Sequence, residues 1–218
     1  MEHAMRFPFS FVLLLVAILA TSPLGAADPA LGEQIYQAEC ANCHGDRAQG
    51  GKGGEYPRLA GQRADYIQLQ LGNFRDRKRQ NKPMLPIFKA GKLRAPDIEA
   101  VAAYLAGLPV PASAEVGVPE EVEGDLEFGF ELYEQDCILC HGADGRGKEE
   151  KGSPQLVAQY PRYIAKQMAD FRNGERPHEH AEKMFGEAYE DELDALLAYV
   201  LSLNHQPPAQ AEGGDANR

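Results

Sequence analysis

The sequence predicts an all-α protein built from two tandem copies of one small helical domain. Three observations carry that expectation. A shift of 97 positions lays the first half of the chain on the second. Each half holds one Cys-x-x-Cys-His motif, Cys40-Ala41-Asn42-Cys43-His44 and Cys137-Ile138-Leu139-Cys140-His141. Apolar residues in the segments that follow recur at helical spacing.

Taken from its start, the chain opens with Arg6, an apolar run over residues 7–20 and the small residues Gly25-Ala26-Ala27. That order is a secretion signal, with a basic residue, an apolar stretch and a peptidase site. The run contains Pro8 and is short for a membrane span, an uncleaved anchor being the alternative. Cleavage after Ala27 would start the mature protein at Asp28 and place it in the periplasm.

The first domain is expected over residues 28–109. Helices are expected over residues 31–40, 64–74 and from Pro96 onward, with residues 45–54 a glycine-rich loop. Gly32 and Tyr36 share one side of the first helix, where the glycine admits another helix closely and the ring packs against Val101 and Tyr104. A linker rich in proline, valine and glutamate follows at 110–124. The second domain, 125–205, repeats the helices at 126–137, 162–171 and 191–203, with Gly129, Tyr133, Leu196 and Tyr199 repeating the packing set. Residues 206–218 read as a disordered polar tail. The repeat extends to Pro57/Pro154, Gln62/Gln159, Tyr66/Tyr163, Gln70/Gln167, Phe74/Phe171 and Arg79/Arg176, and near its end the shift shortens to 95.

One Cys-x-x-Cys is ambiguous between a redox dithiol, half a zinc site and a disulfide. Two copies, each with histidine next, use all four cysteines, and this is the haem-attachment pattern. Cys40 and Cys43, like Cys137 and Cys140, would add across the two vinyl groups of a haem. His44 and His141 then lie under the two irons as proximal ligands. Two covalently bound haem c groups are therefore expected. For the sixth position of the first iron, Met84 sits in the proline-stiffened loop Lys82-Pro83-Met84-Leu85-Pro86. The equivalent loop of the second copy runs from Arg176 to Met184 with His178 and His180 between. Met184 is the expected ligand there because the duplication calls for methionine, and His180 or His178 is the alternative.

At these residues the chain resembles the dihaem cytochromes c of the c4 type. The likeness rests on the paired motifs, on Tyr56-Pro57-Arg58-Leu59-Ala60-Gly61-Gln62 followed by Tyr66, Gln70 and Phe74-Arg75, and on their weaker second copies. It implies two tandem class I cytochrome c domains, histidine and methionine on each iron, and proximal imidazoles oriented by the carbonyls of Pro57 and Pro154. The second half, with Phe171-Arg172-Asn173-Gly174-Glu175-Arg176-Pro177 and Lys183-Met184, also looks like the dihaem subunit of flavocytochrome c sulfide dehydrogenase.

Residues 28–110 carry 12 basic and 9 acidic side chains, and residues 111–218 carry 9 and 23, so the halves differ in sign within a total of −11. Such a dipole orients encounters with charged partners. The basic cluster Arg75, Arg77, Lys78, Arg79, Lys82 does not make a nucleic-acid protein of an exported, acidic haem carrier. The expectation is a non-enzymatic electron carrier, reduced by a quinol-cytochrome c reductase or a dehydrogenase and oxidised by a terminal oxidase or reductase, with transient docking on membrane proteins. Two rival readings are an electron-accepting subunit of a sulfur-compound dehydrogenase and a haem enzyme with a displaceable ligand at the second iron.

Overall fold

Asp28 opens the first helix, α1 (Pro29–Glu39), by accepting the Ala30 N–H at 2.9 Å, with Pro29 at the first helical position. This Asp-Pro start lies two residues ahead of the expected boundary, because the cap and the proline set it rather than the apolar stripe. The computed structural model describes residues 27–186 and 188–206. All of the expected secretion signal but Ala27, and all of the expected polar tail but Gln206, lie outside those residues.

Among the described residues the molecule is helical, with one isolated bridge, Gly51 to Tyr56, in place of any strand. In the first half α1 leads into α2 (Ala41–His44), then α3 (Ala64–Arg75) and α4 (Ala95–Gly107). The second half repeats the order with α5 (Leu126–Asp136), α6 (Ile138–His141), α7 (Pro161–Arg172) and α8 (Glu190–Ser202). No described helix is long and apolar enough to cross a membrane.

The crossing of α1 on α4, and of α5 on α8, organises each half. A Cβ at Gly32 would overlap the carbonyl of Ala100, and one at Gly129 would overlap the carbonyl of Ala195. Only glycine lets the backbones meet there. Tyr36 and Tyr133 follow one turn on, both fully buried, with their rings 5.6 Å from Tyr104 and 5.2 Å from Tyr199. Each hydroxyl finds a partner, Tyr36 donating to Gly45 O at 2.5 Å and Tyr133 to Gly142 O at 2.6 Å. The tyrosines thereby tie the helix crossing to the residue after each histidine.

The segment joining the halves is more than a spacer. A short turn, Ser113–Val116, puts Val116 and Val118 into the apolar core of the second half. Ser113 donates to Asn204 at 2.9 Å, and the Asn204 side chain also accepts the Ala158 N–H at 2.6 Å. Two valines and the Ser113 hydrogen bond dock a stretch in which the sequence shows no periodicity.

Across the junction the contacts come in swapped pairs, each half giving the other the same bonds it receives. Gln159 exchanges two hydrogen bonds with the backbone of Arg58, both at 3.0 Å. Gln62 does the same with the backbone of Gln155, at 3.0 and 2.9 Å. Position 155 is the repeat of position 58, and position 159 the repeat of position 62. Arg79 donates to Gln70 (2.9 Å), Tyr163 (3.0 Å) and Gln167 (2.7 Å), and its repeat Arg176 donates to Gln167 (2.7 Å) and Tyr66. These side chains are mostly buried, so their hydrogen bonds have little competition from water.

Candidate functional site

Each Cys-x-x-Cys-His motif lies on a helix of one turn. The His44 N–H and the His141 N–H bond back to the carbonyls of Cys40 and Cys137, at 3.0 and 2.9 Å. This turn closes the motif and buries each histidine, with Cys43 exposed, Cys40 and Cys140 half-buried and Cys137 buried. Burial pushes the thiols of Cys40 and Cys137 up to about 12, helped by Glu39 and Asp136 beside them.

The imidazoles are set by the same device in both halves. Nδ1 of His44 lies 3.0 Å from the carbonyl of Pro57, and Nδ1 of His141 lies 3.3 Å from that of Pro154. A carbonyl only accepts, so Nδ1 carries the proton and Nε2 keeps a free lone pair, as a metal ligand requires. Burial holds His44 below its usual pKa and takes His141 down to about 4, so both rings are neutral at pH 7.

A cavity of about 1270 Å³ reaches both motifs. That exceeds the roughly 300–1,000 Å³ of a pocket for one drug-sized molecule. Leu59, Ile67 and Phe74 wall it in the first half, and Leu156, Ile164 and Phe171 in the second, each triplet repeating the other. At the junction it meets Arg79 and Arg176, and the buried Nε of Arg176 has no hydrogen-bond partner. Two thiols, one imidazole with a free Nε2, an apolar slot and an unmet buried donor suit a flat apolar macrocycle with acidic edges. The residues fit haem in both halves.

The sequence-predicted site residues meet this cavity. Cys40, Cys43, His44 and Met84 line it on one side, and Cys137, Cys140, His141 and Met184 on the other. Met84 stands half-buried just before the short turn Leu85–Gly91, with its N–H bonded to Asn81. Met184 lies half-buried on a single π-helical turn, Glu182–Gly186, packed against the second core. His178 and His180 both border the cavity, but the His180 side chain is 72% exposed and lies 3.4 Å from Glu179.

Sequence reasoning missed the work of the repeated polar residues. Gln62, Tyr66, Gln70 and Arg79 stood out as matched positions, yet they and their repeats build the junction between the pockets. The available signal was a buried-face position of a helix occupied by glutamine, as at Gln70 and Gln167. Arg79 also leaves the expected basic patch, since it is buried, and Arg75 is occupied by Asp76 at 2.9 Å.

Comparison with known proteins agrees with this geometry. The family described as Cytochrome c matches residues 29–109 and again residues 126–204. The chain is 32% identical over 210 residues to a thiosulfate dehydrogenase electron acceptor of Stutzerimonas stutzeri, covering 89% of this chain and 94% of that one. It is 30% identical over 202 residues to cytochrome c4 of Pseudomonas aeruginosa, covering 88% and 98%. Among solved structures, reduced cytochrome c4 from Pseudomonas stutzeri shares the fold with a TM-score of 0.64 at 24% identity, over 81% of this chain and 98% of that one. A thiosulfate dehydrogenase from Marichromatium purpuratum superposes with a TM-score of 0.66 at 28% identity, over 80% of this chain and 40% of that one.

Proposed function

The chain belongs to the cytochrome c family, and from that premise we propose that it is a periplasmic carrier taking electrons from a quinol-cytochrome c reductase or a dehydrogenase to a terminal oxidase or reductase. It is a dihaem electron-carrying cytochrome with two covalently bound haem c groups, and it transforms no substrate of its own. The observation that carries the reading is the shared cavity: both Cys-x-x-Cys-His motifs open on one space divided by a rigid, hydrogen-bonded junction. Each haem, when bound, supplies a one-electron ferric–ferrous couple.

The residues serve that couple in distinct ways. Cys40 with Cys43, and Cys137 with Cys140, would hold the macrocycles covalently. His44 and His141, fixed by Pro57 and Pro154, would supply one iron ligand each, and Met84 a second to the first iron. The buried walls exclude water and keep the polar surroundings unchanged when the charge on a centre changes. Cys43 and Leu139 are exposed, which leaves the cysteine edge of each pocket near solvent, where a partner can approach. Export, on the signal expected at the N-terminus, would bring the chain to the compartment where such haem is attached.

A second reading has its own support. The likeness to the thiosulfate dehydrogenase electron acceptor favours a dehydrogenase as donor, with this chain as its electron-accepting partner. Stopped-flow mixing of the oxidised protein separates the two. Reduction by a quinol-cytochrome c reductase and reoxidation by a terminal oxidase, each within milliseconds to seconds, is the result expected of a free respiratory carrier. Rapid reduction only by thiosulfate with its dehydrogenase would assign the second reading. Failure to be reduced by any donor would overturn both.

A further inference from the structure

The sixth ligand of the second iron is the position at which the two halves differ most. In the first half the residue after the loop proline is a methionine, Pro83-Met84. In the second it is a histidine, Pro177-His178, reached over a shorter loop from the buried arginine. The ring of His178 lies 6.4 Å from the ring of the proximal His141, centre to centre, and within 13° of parallel to it. Two imidazoles bonded to one metal through Nε2, at about 2.0–2.1 Å each, put their ring centres about 6.3 Å apart. The observed separation matches what two histidines sharing one metal would need.

Two further features point the same way. Nδ1 of His178 lies 2.7 Å from the carbonyl of Glu179, so it carries the proton and Nε2 is the free nitrogen, as in His44 and His141. The ring is also held. Phe171 lies 4.5 Å from it and Phe185 lies edge-on at 5.5 Å. Phe171 is covered in turn by the Arg176 guanidinium at 4.7 Å, and the Phe185 carbonyl is bound by Arg172 at 3.0 Å. His180, exposed and turned to Glu179, has neither feature.

We propose that His178, rather than Met184, is the distal ligand of the second haem, giving one histidine–methionine centre and one bis-histidine centre in the same chain. This rests on the dihaem reading. Thioether ligation raises a haem's potential, so the second centre is then the lower of the two. With His141 and His178 holding the second haem and His44 and Met84 the first, the one-electron couple each group supplies would favour transfer from the second half to the first. The acidic half becomes the entry and the first half the exit.

The test uses the oxidised, purified holoprotein without any partner. Near-infrared magnetic circular dichroism, together with electron paramagnetic resonance, counts methionine-ligated and bis-histidine ferric haems separately. One of each is expected in the native chain, with two separated steps in a redox titration. His178→Met should convert the second centre to the methionine signature and raise its potential, and Met184→Leu should leave both signatures as they are. Two methionine signatures in the native protein, or a second centre that is high-spin with an open position, would overturn the proposal. So would loss of a methionine signature in Met184→Leu. Because haem content is measured separately by the pyridine haemochrome, fewer than two haems per chain would instead count against the dihaem reading, and failed electron exchange with intact ligand signatures against the carrier reading.

Discussion

Single residues in this molecule act through what their neighbours allow. A carbonyl placed opposite Nδ1 decides the tautomer of His44 and His141, and so decides which nitrogen can bind a metal. Met84 depends instead on its backbone, pinned between Pro83 and Pro86 with its N–H on Asn81. Met84→Ala should abolish the near-infrared methionine band of the first haem and lower that haem's potential, while far-ultraviolet circular dichroism stays close to native. A band that survives would make Met84 a packing residue only. The motif histidines and cysteines were legible residue by residue, because haem attachment demands a fixed local spacing. The choice among Met184, His178 and His180 was not, since all three fall within a seven-residue loop whose path no local rule dictates.

At the scale of elements, helix pairs matter more than helices. Crossing of α1 on α4 and of α5 on α8 depends on one glycine in each pair, and the sequence showed both through the repeat. Gly32→Ala and Gly129→Ala each force a Cβ onto a backbone carbonyl that cannot swing aside. Overpacking of this kind costs about 1–3 kcal/mol. Each variant should lower the melting temperature of the holoprotein by several degrees, read by the loss of the haem Soret dichroism on heating. Little change in either variant would mean the helices slide apart without cost. Boundaries were less legible than pairings. Asp28-Pro29 starts α1 earlier than its apolar stripe, and Pro161 starts α7 one residue ahead of the expected position, because caps and prolines act over one or two residues. The π-helical turn at Glu182–Gly186 had no sequence signal.

For the whole molecule, charge and the paired contacts of the junction pull in different directions. The junction is symmetric, yet the halves carry net charges of +3 over residues 28–110 and −14 over residues 111–218. Arg77, Lys78 and Lys82 are exposed in the first half, Lys82 at the cavity rim, and Glu120, Glu121 and Glu123 are exposed on the segment leading into the second half. Screening over about 8–10 Å at moderate salt confines their effect to encounter rates at low ionic strength. Reversing Arg77, Lys78 and Lys82 to glutamate should slow electron exchange with an acidic partner at the first haem several-fold and flatten its salt dependence. Changing Glu120, Glu121 and Glu123 to glutamine should leave that reaction unchanged and slow a basic partner at the second. Equal effects of both sets on every partner, in stopped-flow runs across a salt series, would reduce the asymmetry to solvation.

What the sequence determined by itself was the chemistry that works over short stretches of chain. The haem motifs, the duplication, the helical class and the glycine–tyrosine pairs are all statements about residues a few positions apart, or about the same positions seen twice. Tertiary structure alone decided how the copies face each other, with Gln62 and Gln159 reaching across to backbone about a hundred residues away. It also took Arg79 out of the surface patch, docked the connecting segment through Val116 and Val118, and set His178 opposite His141. The physical reason is the same in each case. A buried polar group or a loop side chain takes its position from partners distant in sequence, and those partners exist only once both halves have folded against one another.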